Sequence, residues 1–124
     1  MKEWRRFGCS LVHAWNGILY TIRTQRNMQI HIVIAVLVLL AAWWLRVPRG
    51  DLLLVLFSIG LVMAMETMNT AIERTVDLVT REHHPLAKAA KDAGAGAVLL
   101  AAVTAAAIGL YVFVPPLLAK CFAL

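Results

Sequence analysis

From residue 93 to residue 119 the chain carries no charged side chain, a run too long and too apolar to lie on the surface of a small soluble fold. A membrane-spanning helix needs roughly 20 mostly apolar residues, and two further blocks of that kind precede this one, at about 29–47 and about 52–72. With 61% hydrophobic residues among 124 and a mean hydropathy of +0.76, the chain lacks the polar surface that an ordinary soluble domain shows to water. A single integral domain over 1–124 follows. Three strands cannot close a barrel, and hydrocarbon offers no partner to a free backbone N–H or C=O, so the three spans are expected to be α-helices. Pro48-Arg49-Gly50-Asp51 is expected to be the turn of a short hairpin between the first two.

The second block carries an anomaly. Glu66, Asn69, Glu73 and Asp77 sit inside it and just beyond it, where a carboxylate at the bilayer centre costs roughly 2.5–3.5 kcal/mol on insertion scales. At about 100° per residue the four positions fall within an arc of roughly 80°, so they form one stripe. That stripe cannot face lipid. It lines a protein interior, an aqueous crevice, or a site for a metal and a polar substrate. Taken alone, buried carboxylates also suit proton relay or helix pairing in a transporter or channel component.

Charge placement gives orientation. Lys2, Arg5, Arg6, Arg23 and Arg26 precede the first span, and Arg74, Arg81, Lys88 and Lys91 flank the end of the second, so nine of the twelve basic residues share one side. The positive-inside rule then puts the N-terminus and the 74–92 connection in the cytoplasm, with Arg46, Arg49 and Lys120 outside. The net charge of +5 speaks for contact with an anionic bilayer surface, and for a polyphosphate, more than for nucleic acid. No basic patch interleaved with aromatics supports DNA or RNA binding.

Residues 1–24 read as a different object from the spans. Trp4, Phe7, Leu11, Trp15, Ile18 and Ile22 recur at spacings of three and four, with Arg5, Arg6, Ser10, His13, Asn16 and Arg23 off that line. This is the pattern of an amphipathic helix lying on the cytoplasmic leaflet. A cleavable leader is not expected, because no small-residue cleavage site closes a compact apolar run. Cys9 and Cys121 are placed on opposite sides of the membrane and match no metal-binding spacing, so neither is given a role. Trp43 and Trp44 read as interfacial anchors, His13 and His31 as hydrogen-bonded interface residues, and Met63, Met65 and Met68 as packing around the stripe. Asp77 is expected to partner Arg74 or Arg81, or to act as a helix-end charge, and is not given a catalytic role.

The segment 81–92 is dense in polar groups, with Glu82, His83, His84, Lys88, Lys91 and Asp92 around Pro85. As a loop it would leave the acidic stripe and re-enter the membrane through Lys91 and Asp92, so cations and carboxylates meet at one depth. Phosphoryl transfer suits that meeting: it needs a divalent metal, a cation near the phosphates, a base in reach of the attacking hydroxyl, and tight positioning. Glu73 is the candidate for Mg²⁺, Lys91 for the phosphates, and Glu66 for the base. The G-x-x-x-x-G-K-[ST] signature is absent, so a P-loop enzyme is excluded. Gly94 and Gly96 are expected to allow close helix contact and not to cradle phosphate.

The run Glu66-Thr-Met-Asn69-Thr-Ala-Ile-Glu73-Arg-Thr-Val-Asp77, followed by His83-His84-Pro85-Leu-Ala-Lys88-Ala-Ala-Lys91-Asp92-Ala-Gly-Ala-Gly-Ala-Val98, resembles the bacterial diacylglycerol kinase family. It is most similar to the undecaprenol kinase branch of Gram-positive bacteria. The likeness extends back through Thr24-Gln25-Arg26-Asn27-Met28-Gln29-Ile30-His31 and Trp15-Asn16-Gly17, and so covers nearly the whole chain.

The resemblance implies an all-α integral membrane protein of the bacterial cell membrane, with three transmembrane helices and an N-terminal surface helix, forming a homotrimer whose sites are shared between neighbours. It implies Glu66 as the base toward the lipid hydroxyl, with Asn69 holding the geometry, and Glu73 as ligand of the Mg²⁺ that bridges ATP phosphates. Lys91 and Asp92 would contact the nucleotide, Glu82 and His84 would lie near its ribose and base, and Arg6 and Met28 would join Glu66 at the lipid. Gln25 stands where the family usually has a glutamate, the second protein ligand of that metal. Glutamine keeps an oxygen donor without the charge, so Mg²⁺ and ATP would be held less firmly. The implied activity is ATP-dependent phosphorylation of undecaprenol, with diacylglycerol as the alternative substrate and a weakly active or non-catalytic membrane scaffold as the reading that Gln25 suggests.

Overall fold

The computed structural model describes residues 2–122, all of them in four helices and short connections: α1 (Lys2–Thr24), α2 (Arg26–Trp44), α3 (Arg49–Val79) and α4 (Pro85–Phe122). Three of these, α2, α3 and α4, are long and apolar enough to cross a membrane. The number and order of helices are those expected, but the ends move, each for a local reason.

Gln25 alone separates α1 from α2. Its backbone is extended, at φ −110° and ψ 115°, yet its N–H still donates to Thr21 O at 2.9 Å. Gln29 Nε2 then reaches back to Ile22 O at 3.0 Å, so the break is stitched on both sides and α2 starts at Arg26, ahead of the apolar block.

α2 ends at Trp44, three residues before the expected limit of 47. Arg46 takes a left-handed φ of 53°, while the N–H of Val47 donates to Ala42 O at 3.0 Å and that of Arg46 to Trp43 O at 3.2 Å. These two bonds close a helix end of the Schellman type, in which a residue with positive φ lets the chain fold back onto its own last carbonyls. The turn is therefore residues 45–48, not 48–51. Pro48 precedes α3 and its carbonyl accepts from Leu52 N–H at 2.9 Å, which puts Arg49, Gly50 and Asp51 in the first helical turn.

α3 continues through Val79, well past the apolar block, so the whole polar stripe rides on one helix. α4 begins at Pro85, whose fixed φ and missing N–H suit the first helical position. His84 caps it: its Nδ1 accepts from Leu86 N–H at 3.2 Å and its carbonyl accepts from Lys88 N–H at 3.0 Å. Lys88, Lys91 and Asp92 thus stand on a helix and not on the loop expected for 81–92. The connection is only 80–84, tightened by Glu82 N–H donating to Thr80 Oγ1 at 3.1 Å.

The principal packing seam lies between α3 and α4, with α2 against α3 and α1 touching both α2 and α3. Gly94, Ala101 and Val112 of α4 and Val55, Ser58, Val62, Glu66, Asn69 and Thr70 of α3 are the buried residues of the two helices; small side chains such as the first two are what let helix backbones approach in a membrane. Gly94 makes the expected close contact, whereas Gly96 has open space where a Cβ would be. At the far end Lys120 Nζ sits 3.9 Å from the centre of the Trp44 ring and 3.4 Å from Trp44 O. Pro115 and Pro116 lie inside α4 nearby, and each removes a backbone donor from that last stretch. Cys9 and Cys121 are free and exposed.

Candidate functional site

Two residues of the stripe on α3 meet α4: Asn69 lies against Gly94 and Asp77 against Lys91. Glu66 is 2% exposed and Asn69 7%, and Thr70 Oγ1 donates to Glu66 O at 2.9 Å. Asn69 Nδ2 donates to Glu73 Oε1 at 3.2 Å, which ties two of the four expected residues together and turns the amide oxygen toward α4. Two buried acceptors, Glu66 Oε2 and Asn69 Oδ1, have no donor among the described residues. Burying such an atom unpaired costs about 1–3 kcal/mol, more for a charged group, and groups of this kind persist where a substrate or a reaction uses them. His31 makes no hydrogen bond among the described residues, contrary to expectation.

One turn further along the stripe the surroundings become polar. Lys91 Nζ bonds Asp77 Oδ1 at 2.6 Å, with the two side chains 41% and 40% exposed. Asp77 lies beyond the apolar segment, and the hydrogen bond from Lys91 holds its carboxyl below the ordinary aspartate value, helped by the charges of Lys91, Arg74 and Arg81. The expected partner, Arg74 or Arg81, is thus replaced by a lysine from the next helix. Arg74 is instead over the ring of Tyr20, 5.7 Å from its centre, which brings the end of α1 beside the turn of α3 that carries Glu73.

Glu82, His84, Lys91 and Asp92 all line one open cleft of about 370 Å³ between the end of α3 and the start of α4, together with Asp77 and Lys88. Asp92 is paired there with Lys88. The remaining expected residues are spread around this centre. Glu73 is one turn inward, half-buried; Gln25, half-exposed at the α1–α2 joint, makes no side-chain hydrogen bond among the described residues. Met28 is fully buried and borders an apolar groove of about 460 Å³ with Ile18, Met63, Thr67 and Met68. Arg6, on α1, pairs with Glu3 at 3.3 Å and lines neither the cleft nor the groove.

Among the described residues no three His, Cys, Asp or Glu side chains are grouped to hold a metal. Mg²⁺ in phosphate-transfer sites is bound through one or two carboxylates, substrate oxygens and water. Glu73 fits the part, since its second carboxylate oxygen carries no hydrogen bond from the described residues.

Sequence reasoning missed the Asp77–Lys91 pair and the capping role of His84. A signal existed for the second: His84 stands directly before Pro85, the place of a helix cap ahead of a proline at the first helical position.

The family profile described as prokaryotic diacylglycerol kinase matches residues 12–113. The chain is 48% identical to the undecaprenol kinase of Bacillus subtilis over 94% of both sequences. It is 44% identical to a diacylglycerol kinase of Synechocystis over 88% of this chain and 63% of that one, and 34% identical to the diacylglycerol kinase of Escherichia coli K12 over 75% and 76%.

Proposed function

This chain belongs to the prokaryotic diacylglycerol kinase family and is a membrane lipid kinase, and from that premise we propose that it transfers the γ-phosphate of ATP to the hydroxyl of undecaprenol. The observation that carries the reading is Glu66: a buried carboxylate with an unpartnered oxygen, on the same helix face as the Asn69–Glu73 hydrogen bond and leading to a cleft with Lys91, Asp92, Glu82 and His84. The choice of a polyprenol rests on the 48% identity to the Bacillus enzyme.

In this reading the lipid hydroxyl reaches Glu66, whose free oxygen accepts the proton as the hydroxyl oxygen bonds to the γ-phosphorus and the bond to the β-phosphate oxygen breaks. Asn69 keeps the Glu73 carboxylate in place. Lys91 exchanges part of its hold on Asp77 for the nucleotide's phosphate oxygens, and Asp92, Glu82 and His84 position the rest of the nucleotide. Mg²⁺, held by Glu73 with Gln25 as a second, uncharged oxygen, would supply charge neutralisation at the phosphates. Burial excludes water, which favours transfer to the lipid over hydrolysis. Arg6 and Met28 belong to the lipid side. The cleft then faces the cytoplasm, with α1 lying on the inner leaflet of the bacterial cell membrane against anionic lipid heads, and three copies of the domain complete one another's sites.

Diacylglycerol is the second reading, favoured by the relatives that carry that name. A third, a weakly active scaffold, has Gln25 as its support. Radiolabel transfer from ATP to each lipid in defined micelles separates them: polyprenyl phosphate is the expected product, phosphatidic acid alone would replace the first reading with the second, and no product from either lipid would favour the third.

A further inference from the structure

Of the glycines in this chain, Gly94 alone has a neighbour in the space where its side chain would be. A Cβ built on it overlaps Asn69 Oδ1 and lies 3.5 Å from Asn69 Cγ and from Ile72 Cδ1. The amide cannot simply step aside: its Nδ2 is engaged by Glu73 Oε1 at 3.2 Å, and the residue is 7% exposed. A methyl at position 94 would therefore have to rotate Asn69 away from Glu73. Glycine inside a helix is otherwise a cost, because it gives up backbone freedom and packs nothing, and Gly96, two residues on, meets no neighbour at all.

We infer that Gly94 is a positioning residue whose missing side chain forms the seat for the Asn69 amide, and that through Asn69 it orients the Glu73 carboxylate. The inference rests on the proposed roles of Asn69 and Glu73. It assigns to α4 a part in the carboxylate geometry in addition to its nucleotide-facing residues. The seat also defines which motion breaks the site: any slide of α4 along α3 that moves a bulkier residue opposite Asn69 disconnects Asn69 from Glu73.

The test compares Gly94→Ala, Gly96→Ala, Asn69→Ala and the double variant Asn69→Ala/Gly94→Ala, reading kcat and KM for lipid phosphorylation and the unfolding midpoint of the detergent-solubilised chain. Gly94→Ala is expected to lower kcat by about 10²-fold, the scale of a misplacement of about 1 Å, with KM for the lipid changed far less. Its midpoint should fall, while that of Gly96→Ala holds or rises with activity intact. In the double variant the new Cβ meets only Ile72 Cδ1, at an ordinary 3.5 Å, so kcat should be no lower than for Asn69→Ala alone and the midpoint should recover. Full kcat in Gly94→Ala, or losses that multiply in the double variant, would overturn the seat. If Gly94→Ala does not fold, recovery of folding in the double variant supports the inference and continued failure overturns it. A fully active Asn69→Ala would remove the proposed role of Asn69, and the recovery of the midpoint would still decide whether the seat exists.

Discussion

Glu66 and Glu73 stand two helical turns apart on one face of α3 yet meet different surroundings, and the proposed division of work between them rests on that difference. Glu66 is enclosed, with an oxygen that has no hydrogen-bond donor among the described residues; Glu73 is half-buried, accepts from Asn69, and lies toward the polar end. A carboxylate kept for proton transfer contributes typically 10²–10⁴-fold, so Glu66→Gln is expected to lower kcat by about that range while helical content by circular dichroism stays unchanged. Glu73→Ala is expected to abolish turnover at ordinary Mg²⁺ and to recover part of it at high Mg²⁺; lipid phosphorylation at an undiminished rate in both variants would end the proposed mechanism. Gln25 sits at the joint of α1 and α2 with its side chain unbonded, free to turn toward a metal. Restoring a charged ligand in Gln25→Glu should lower the Mg²⁺ concentration for half-maximal turnover several-fold, and equal activity of the two proteins at low Mg²⁺ would take this residue out of the metal site.

The α3–α4 hairpin is the element on which the site is built, and its stability comes from the seam more than from the charged pair at its mouth. Lys91 and Asp77 are about two-fifths exposed, where water screens an ion pair and leaves it little net effect. Asp77→Asn should therefore move the unfolding midpoint little. Whatever the pair contributes is present above the ordinary Asp value of 3.8 and fades as the pH falls through the lowered folded-state value, so the deficit of the variant should shrink in acid. Ala101, 5% exposed in the seam, is a stronger lever: Ala101→Leu forces the helices apart at about 1–3 kcal/mol, read as a lower midpoint in the same detergent. A larger effect from Asp77→Asn than from Ala101→Leu would place the main fastening at the mouth of the hairpin instead.

At the scale of the molecule, the buried apolar set of a single chain is short, comprising Met28, Ala42, Val55, Val62, Ala101 and Val112. Leu37, Leu53, Phe57, Leu99, Leu100 and Leu110 are all exposed, as expected where lipid or sister subunits, and not water, surround the helices. Shared sites in a trimer are the proposal that uses this surface. Brief lysine- or cysteine-directed crosslinking in a mild detergent should give a ladder ending at three chains, and a ladder ending at two would contradict it.

Helix count, helix order and the placing of Glu66, Asn69, Glu73 and Asp77 along one stripe of a single helix were legible in the sequence, because apolar length and the 3.6-residue period are local properties that hold whatever the helix packs against. The family motif added which residues to watch. Partners were not legible. Asp77 finds Lys91 and not Arg74 or Arg81, Gly94 carries a contact that Gly96 does not, and Lys88, Lys91 and Asp92 ride on α4 because His84 and Pro85 start that helix early. These facts depend on the register of two antiparallel helices set by a short connection, and on a left-handed Arg46 that ends α2 ahead of its apolar run. Register is a relation between distant residues, so only the folded hairpin decides it.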